Sequence, residues 1–176
     1  AFFSNRAADP DREQAGQIFV AAAKGGSTAQ ALTTPANFAT RSRVEWSPDG
    51  SRIAYLETDD QKFGAYSMSH LATVAADGTK PSARVAAAEA LDRGVSGIRF
   101  TADGKALVLI GENGTDRSRA WSLPLDGGAP SVLFEDPVQD VGAQHRACAR
   151  YAGGAPGGQL AGEPVLEDAT AVEVLG

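Results

Sequence analysis

Apolar and polar residues alternate in short blocks along this chain, and one pattern occurs twice. It runs from Val44 to Leu56 and again from Ile98 to Ile110, so that Ser47 and Thr101 stand 54 residues apart. Each copy reads apolar, charged, aromatic, then a polar turn ending in Asp-Gly, then an apolar run. Asp-Gly tolerates the positive φ of tight turns, and the flanking runs are rich in β-branched and aromatic residues. Each copy therefore predicts a β-hairpin, and Pro48 fits the second position of a type I turn.

The pattern continues beyond each hairpin with two further apolar runs and a glycine turn between them. The predicted strands are Leu71–Val74 and Ala83–Ala87 around Asp77-Gly78, and Ala120–Leu123 and Val132–Phe134 around Asp126-Gly127-Gly128. Four short antiparallel strands at a period of about 40–50 residues are typical of a β-propeller blade. We predict an all-β fold, a partial β-propeller of about three four-stranded antiparallel blades, at approximately residues 1–40, 41–92 and 93–141.

The first residues fit the same scheme without its opening strand. Ala1-Phe2-Phe3 matches Ile53-Ala54-Tyr55, and later strands are expected at Gln17–Ala21 and Ala29–Leu32, with Gly25-Gly26 as the turn. The chain begins as though inside a blade whose innermost strand is missing. We therefore expect it to be a fragment of a larger protein.

Two Ala-rich runs, residues 21–24 and 86–91, raise a helical alternative because Ala is the best helix former. Both runs are short and lie between turn signals, so a helix of more than a turn or two is not expected. Blade connections explain them more simply.

The repeat stops near residue 141. Pro137–Val141 resembles the lead-in to Ile98, but no aromatic residue with an Asp-Gly turn follows it. Residues 142–176 are rich in Ala and Gly and contain few large apolar groups to offset the entropy of ordering. We predict a linker or disordered tail there, with Val172–Leu175 still open as an added strand.

Charge and composition exclude several classes of protein. The 22 acidic and 16 basic residues give a net charge of −6, which argues against a nucleic-acid groove lined by basic residues. No apolar run approaches the roughly 18 residues of a membrane span. The lone Cys148 cannot form an internal disulfide, so cysteine usage leaves the compartment open between cytoplasm and periplasm. We expect neither nucleic acid nor a membrane as a partner.

The segment Trp46–Tyr55, with the lead-in Gln17–Val20, Gly25-Gly26 and Gln30–Thr33, resembles a known repeat. It is similar to the WD40-like PD40 repeats of TolB and to the N-terminal β-propeller of prolyl-oligopeptidase-family (S9) serine peptidases. The long polar loops at residues 4–14 and 57–67 look more like the peptidase propellers. The resemblance covers roughly residues 1–141.

That resemblance implies a division of labour between two domains. In such peptidases the propeller gates access of short peptides to a C-terminal α/β-hydrolase domain, which holds the catalytic serine on a Gly-x-Ser-x-Gly elbow. The nearest string here, Gly94-Val95-Ser96-Gly97, has the wrong spacing and precedes a predicted strand. We therefore expect the hydrolase domain to be missing from this chain and no catalytic residue to carry over. The alternative is a non-catalytic TolB-like propeller that binds a protein partner.

The histidines and the cysteine are weak candidates for chemistry. A triad needs a histidine beside a nucleophile, and only His70 and His145 are present. We expect His70, downstream of Asp59 and Asp60, to be a solvated histidine at a loop end. A structural zinc site needs four protein ligands, and the chain offers only His145, Cys148 and the distant His70. Cys148 has neighbouring arginines that could lower its pKa, but no orienting partner.

Turn chemistry also accounts for most of the acidic residues and glycines. Asp49 and Asp103 are expected to close their turns through their own side chains, rather than to act in catalysis or bind calcium. The acidic loops 9–13 and 57–60 are expected to be solvated, although in a peptidase propeller they could face the hydrolase domain or hold a peptide amino terminus. Gly111–Gly114 and Gly154–Gly158 lack the Lys-Ser/Thr and helix start of a phosphate loop.

The aromatic residues Trp46, Phe100 and Trp121 are expected in the blade core. We assign no catalytic, cofactor or metal residue from the sequence.

Overall fold

A computed structural model describes residues 1–13, 16–40, 44–59, 67–111 and 119–135 of the 176-residue chain. Those residues form three antiparallel sheets. The first contains β1 (Phe2–Asn5), β2 (Gly16–Val20) and β3 (Gln30–Ala31). The second contains β4 (Glu45–Trp46), β5 (Arg52–Glu57), β6 (His70–Ala75) and β7 (Ala83–Arg84). The third contains β8 (Val95–Phe100), β9 (Ala106–Gly111), β10 (Arg119–Pro124) and β11 (Ser131–Glu135).

Within each sheet the strands follow chain order, as expected for successive hairpins. A short 3-10 helix (Pro35–Asn37) lies between the first two sheets, and a one-turn helix, α1 (Ala86–Glu89), lies between the second and third. The predicted all-β architecture of repeated four-stranded units is confirmed, with three strands in the first sheet.

The middle sheet is apolar on both faces because it packs between the other two. Ile53 and Tyr55 lie in a core cluster with Ile18 of β2 and with Leu32, the residue after β3. The alternate residues of β5, Ala54 and Leu56, lie in a second cluster. That cluster also contains residues of the third sheet, among them Ile98, Phe100 and Leu107. A strand buried on both faces reads as a continuous apolar run, which is the pattern at residues 53–56 and 107–110.

The two Asp-Gly turns have the same geometry, which confirms the repeat at the level of hydrogen bonds. The Gly50 N–H donates to the Ser47 carbonyl, and the Gly104 N–H donates to the Thr101 carbonyl, each at 2.9 Å. Both glycines have positive φ, +69° and +68°. Only glycine adopts that conformation without strain, so the Gly of each Asp-Gly pair is required by the turn.

The register of β1 differs by one residue from the sequence match. The Leu32 N–H donates to the Ile18 carbonyl, as the Val85 N–H donates to the Leu71 carbonyl, so Ile18 is equivalent to Leu71. Because Phe3 pairs with Ile18 and Leu56 pairs with Leu71, Phe3 is equivalent to Leu56. The prediction that Phe3 matches Tyr55 is wrong. A slip of one residue exchanges the two faces of a strand, and the structure turns Phe3 towards the second sheet.

Other strand limits also differ from the prediction. The strand predicted at Ala83–Ala87 ends at Arg84, and Ala86 begins α1 instead. Helix α1 is a single turn, in agreement with the expectation that no long helix forms in this Ala-rich run. Gly97 lies inside β8 at a register irregularity, with a φ of +59°, so the Gly-Val-Ser-Gly string is a β-bulge in a strand.

The aromatic residues do not share one environment. Phe100 is buried, as predicted, and Trp121 packs half-buried against the same cluster. The prediction that Trp46 lies in the core is wrong, because its side chain is 40 % exposed.

Candidate functional site

The ends of the middle strands of the three sheets lie at one rim, since Ala39 contacts both Gly16 and Glu57, and the Val95 N–H donates to the Ser69 carbonyl. In the second sheet the last paired residues at this rim are Glu57 and His70, and in the third they are Gly111 and Arg119. Helix α1 joins the second sheet to the third near this edge, since its Glu89 contacts His70. We call the side chains of Glu57, Asp59, His70, Arg84 and Glu89 the charged rim.

Arg84 lies at the centre of the charged rim. Its Nε donates to Glu57 Oε1 at 2.9 Å, and its Nη1 lies 2.8 Å from Asp59 Oδ1 and 3.7 Å from Glu89 Oε2. The guanidinium therefore joins the end of β5 to β7 and α1. Its planar group of donors suits several carboxylates at once, which a lysine could not satisfy with the same geometry.

Glu57 is the buried member of the charged rim, with a side chain 6 % exposed. Besides the Arg84 guanidinium it accepts a hydrogen bond from the Tyr55 hydroxyl at 2.8 Å, and Ser82 Oγ bonds to the same hydroxyl. Burial raises the pKa of the Tyr55 phenol above its usual range, which keeps this donor neutral. A buried carboxylate needs such partners, and both of its oxygens have one.

His70 lies in β6 with a side chain only 12 % exposed, so the expected solvated histidine at a loop end is wrong. Its Nδ1 lies 2.9 Å from Glu89 Oε1, and its Nε2 lies 3.0 Å from Asp59 Oδ2. Hydrogen bonds from Arg84 and then His70 lower the pKa of the Asp59 carboxyl. Because each ring nitrogen contacts a carboxylate, this histidine is not placed to activate a hydroxyl or thiol nucleophile.

Of the two acidic loops, the first agrees with the expectation of a solvated loop, and the second departs from it at Asp59. Asp59 is 54 % exposed but bonds to both Arg84 and His70. In the first loop, Asp9 forms an exposed ion pair with Arg12, and the Asn5 side chain donates to the Pro10 and Glu13 carbonyls. Asn5 thereby fixes the fold of this loop, whose charged groups stay at the surface.

Asp49 and Asp103 close their turns as predicted. Asp49 Oδ1 accepts hydrogen bonds from Ser47 Oγ at 2.6 Å and from the Ser51 N–H at 3.0 Å, and these bonds lower the pKa of Asp49 to about 2. Asp103 accepts the equivalent bonds from Thr101 Oγ1 and the Lys105 N–H, and its pKa is also lowered. Both carboxylates are occupied by their own turns.

A cleft of about 330 Å³ opens between these two turns. Its walls come from the β4–β5 turn on one side and from Phe100, Gly104 and Lys105 on the other. The turn of the second sheet and Phe100 of the third sheet thus line the same open space.

Other candidate residues lie outside the described residues: Asp60, Glu112, Asn113, Gly114, His145, Cys148 and Gly154–Gly158. Across residues 1–13, 16–40, 44–59, 67–111 and 119–135, no group of three or more His, Cys, Asp or Glu side chains is arranged to hold a metal ion. In the same part of the chain, no helix has the length and apolar character needed to cross a membrane.

Comparison with known proteins places this geometry among β-propellers. The structure of a putative TolB from Agrobacterium tumefaciens superposes with a TM-score of 0.53 at 19 % identity, over 70 % of this chain and 43 % of that one. The chain is a partial β-propeller. The β-propeller domain of the Trilobed protease from Pyrococcus furiosus aligns with a TM-score of 0.43 at 15 % identity, over 69 % of this chain and 38 % of that one. No protein-family model matches the chain.

One curated relative matches at the level of sequence. Tricorn protease homolog 1 of Streptomyces coelicolor is 38 % identical over 97 residues, which are 54 % of this chain and 8 % of that protein. The chain thus corresponds to a small part of a much longer relative. The structural likeness shows the fold, a β-propeller, and the sequence likeness covers about half of this chain. The resemblance to the prolyl-oligopeptidase family stays a prediction.

Proposed function

We propose that this chain is a propeller segment of a larger serine-type peptidase, in which it restricts entry to short peptides. The observation that carries the proposal is the 38 % identity to a tricorn protease homolog over 97 residues. The catalytic serine, in this proposal, belongs to an α/β-hydrolase or other peptidase domain outside residues 1–176. Residues 1–141 supply the propeller, and residues 142–176 supply a linker.

The charged rim supports the gating role because its hydrogen bonds and ion pairs join several elements at one edge. Arg84 and His70 join α1 and the ends of β5, β6 and β7 through several hydrogen bonds and ion pairs. A filter for peptide size works only if its edge does not yield to larger substrates. The three carboxylates of the rim also exceed its single permanent cation, which favours peptides with a free amino terminus.

The test uses the whole polypeptide that contains this chain. That protein, isolated from its source, is incubated with a fluorophosphonate probe and with fluorogenic peptides of increasing length. A second preparation lacks residues 1–135. We expect labelling of a serine in the same polypeptide, and deletion should raise cleavage of long peptides more than cleavage of short ones. Absence of a labelled serine, or an unchanged ratio of long to short cleavage, would contradict the proposal.

The second candidate is a non-catalytic propeller that binds a protein partner, which the structural likeness to TolB favours. The same experiment separates the two. A polypeptide without a reactive serine that retains a partner through repeated washing, and loses it when residues 1–135 are removed, would indicate the binding propeller.

A further inference from the structure

Asp-Gly occurs four times in this chain, each time in a turn with an exposed aspartate. The four pairs are Asp49-Gly50, Asp77-Gly78, Asp103-Gly104 and Asp126-Gly127. An Asp-Gly peptide bond is prone to isomerise, because the glycine has no side chain to keep its amide nitrogen away from the aspartate carboxyl group. By sequence the four pairs are equivalent candidates for this reaction. The hydrogen bonds of the four turns distinguish them.

The glycine amide is bonded in three of the turns and open in the fourth. The N–H groups of Gly50, Gly78 and Gly104 donate to the carbonyls of residues 47, 75 and 101, at 2.9, 3.1 and 2.9 Å. Among the described residues, no carbonyl accepts a hydrogen bond from the Gly127 N–H. An amide has to give up such a bond before its nitrogen can attack a carboxyl carbon, so the first three turns are protected.

The carboxylate is also held less firmly at Asp126. Within the described part of the chain it accepts a single hydrogen bond, from the Gly128 N–H at 3.1 Å. The other three accept the equivalent main-chain bond and at least one hydroxyl bond, from Ser47 and Ser51 at Asp49, from Thr79 at Asp77 and from Thr101 at Asp103. Those bonds lower the pKa of the three carboxyls, and the ionised carboxylate is the form that reacts less readily with a nucleophile.

Packing around the glycine separates the turns further. A Cβ added at Gly78 would meet the side chain of Gln30, so that turn is held against the first sheet. A Cβ added at Gly127 would meet no atom of the described residues within 4 Å, and the main chain there has room to move towards the carboxyl carbon. Gly50 is as open as Gly127, so hydrogen bonds alone protect its turn.

We propose that Asp126 is a modification site, at which the Asp126-Gly127 peptide bond of the folded chain isomerises to isoaspartate. The Gly127 nitrogen attacks Asp126 Cγ, and the new N–Cγ bond closes a five-membered succinimide ring. The carboxyl hydroxyl leaves with the amide proton as water. A water molecule then adds to the main-chain carbonyl carbon of the ring and breaks its bond to nitrogen. The product has the mass of the original chain, but its main chain runs through Cγ and is one methylene longer.

The modification changes a surface that two sheets share. Asp126 lines the cleft between the turns of Asp49 and Asp103, so a longer main chain at residue 126 moves one wall of that cleft. The released α-carboxylate stands in an exposed turn, where a protein carboxyl methyltransferase can reach it. This site goes beyond the proposed function and does not depend on a peptidase activity.

The test follows all four turns in the unsubstituted full chain. The chain is kept at neutral pH and physiological temperature, with trimethylamine N-oxide to favour the folded state, and a second sample is kept in concentrated urea. Isoaspartate is measured at each site over time by electron-transfer mass spectrometry, which distinguishes the two isomers by their fragments. In the folded chain we expect it to form about two- to tenfold faster at Asp126 than at the other three sites, the factor that one hydrogen bond corresponds to. In urea the four rates should converge.

A matched variant weakens one of the protected turns. Thr79→Ala removes the hydroxyl that donates to Asp77 Oδ1 at 2.7 Å, so isoaspartate should form faster at Asp77 and at an unchanged rate at Asp126. Two results would overturn the proposal. One is a folded chain in which Asp126 reacts no faster than the other three aspartates. The other is an excess at Asp126 that persists in urea, which would show that the local sequence causes it and the folded turn does not.

Discussion

Replacing Arg84 by Met should test whether the charged rim is a coupled unit. Met keeps most of the aliphatic length of the arginine but removes the cation that bonds to Glu57, whose side chain is 6 % exposed. Breaking a buried pair by removing one partner costs about 3–5 kcal/mol. Because 33 % of the Arg84 side chain is exposed, water replaces part of what is lost, and we expect the free energy of unfolding to fall by about 2–3 kcal/mol.

The double variant E57Q/R84M distinguishes two causes of the loss: an uncompensated Glu57 charge, and the lost packing of the Arg84 side chain. The glutamine side chain introduced by E57Q carries no charge and still accepts the hydrogen bond from the Tyr55 hydroxyl. The double variant should therefore be more stable than R84M alone, with a loss of about 1 kcal/mol from the unsubstituted chain. Arg12→Ala is the matched control, since its ion pair with Asp9 is exposed at 87 % and 49 % and should contribute less than about 0.5 kcal/mol.

The assay is urea unfolding at neutral pH followed by circular dichroism, with trimethylamine N-oxide in all samples so that a weakly stable chain remains folded at the start. Two results would refute the reasoning. In one, R84M costs no more than R12A. In the other, the double variant is less stable than R84M alone, which would mean that the buried Glu57 carboxylate carries no uncompensated charge when the arginine is absent.

Three further outcomes follow from the structure. Hydrogen bonds to the Asp49 carboxylate lower its pKa to about 2, so they should stabilise the fold above the ordinary Asp pKa, near 3.9. That stabilisation should be lost as the pH falls from about 4 to 2. D49N should therefore make the free energy of unfolding depend less on pH in this range. Gly16→Ala should lower the free energy of unfolding by about 1–3 kcal/mol, because the added Cβ would overlap the Ala39 carbonyl and the Phe3 ring. Gly25→Ala is the control and should change the urea midpoint little, since a Cβ there would meet no atom within 4 Å. Arg6→Ala should lower the free energy of unfolding by about 0.5–1 kcal/mol, because the guanidinium lies 4.2 Å from the centroid of the Phe19 ring. It should also increase the binding of a fluorescent hydrophobic dye, since the ring loses this cover. An unchanged urea midpoint would argue against the cation–π contact.

The hairpins could be predicted because their determinants are local. Each hairpin is indicated by an Asp-Gly turn and the apolar runs directly beside it, all within about a dozen residues. The same pattern recurs 54 residues later, which supports the assignment. The face of β1 was not predictable in this way, since a match of three residues allows a slip of one, and only pairing with Ile18 fixes the register. The repeat predicts Trp46 in the core because it shares its strand position with Phe100, but a shared strand position does not fix burial, since Trp46 is 40 % exposed and Phe100 is 6 % exposed.

The charged rim was missed because it joins elements that lie apart in sequence. His70 contacts Asp59, 11 residues away, and Glu89, 19 residues away, and neither spacing is a recognised motif. One signal was present. Glu57 closes an apolar strand and His70 opens the next, and in an antiparallel pair those two positions lie opposite each other. That register brings both side chains to the same rim, although each has its charged partners elsewhere: Glu57 bonds to Arg84, and His70 bonds to Asp59 and Glu89.

The central claim is that this chain folds as successive β-sheets packed face to face, as in a propeller. Nuclear Overhauser contacts between side chains of the second and third sheets test it most directly. We expect several contacts between the set Ala54, Leu56 and Leu71 and the set Ile98, Phe100 and Leu107, which share one buried cluster. Contacts confined to each sheet, with none between the two sets, would contradict it.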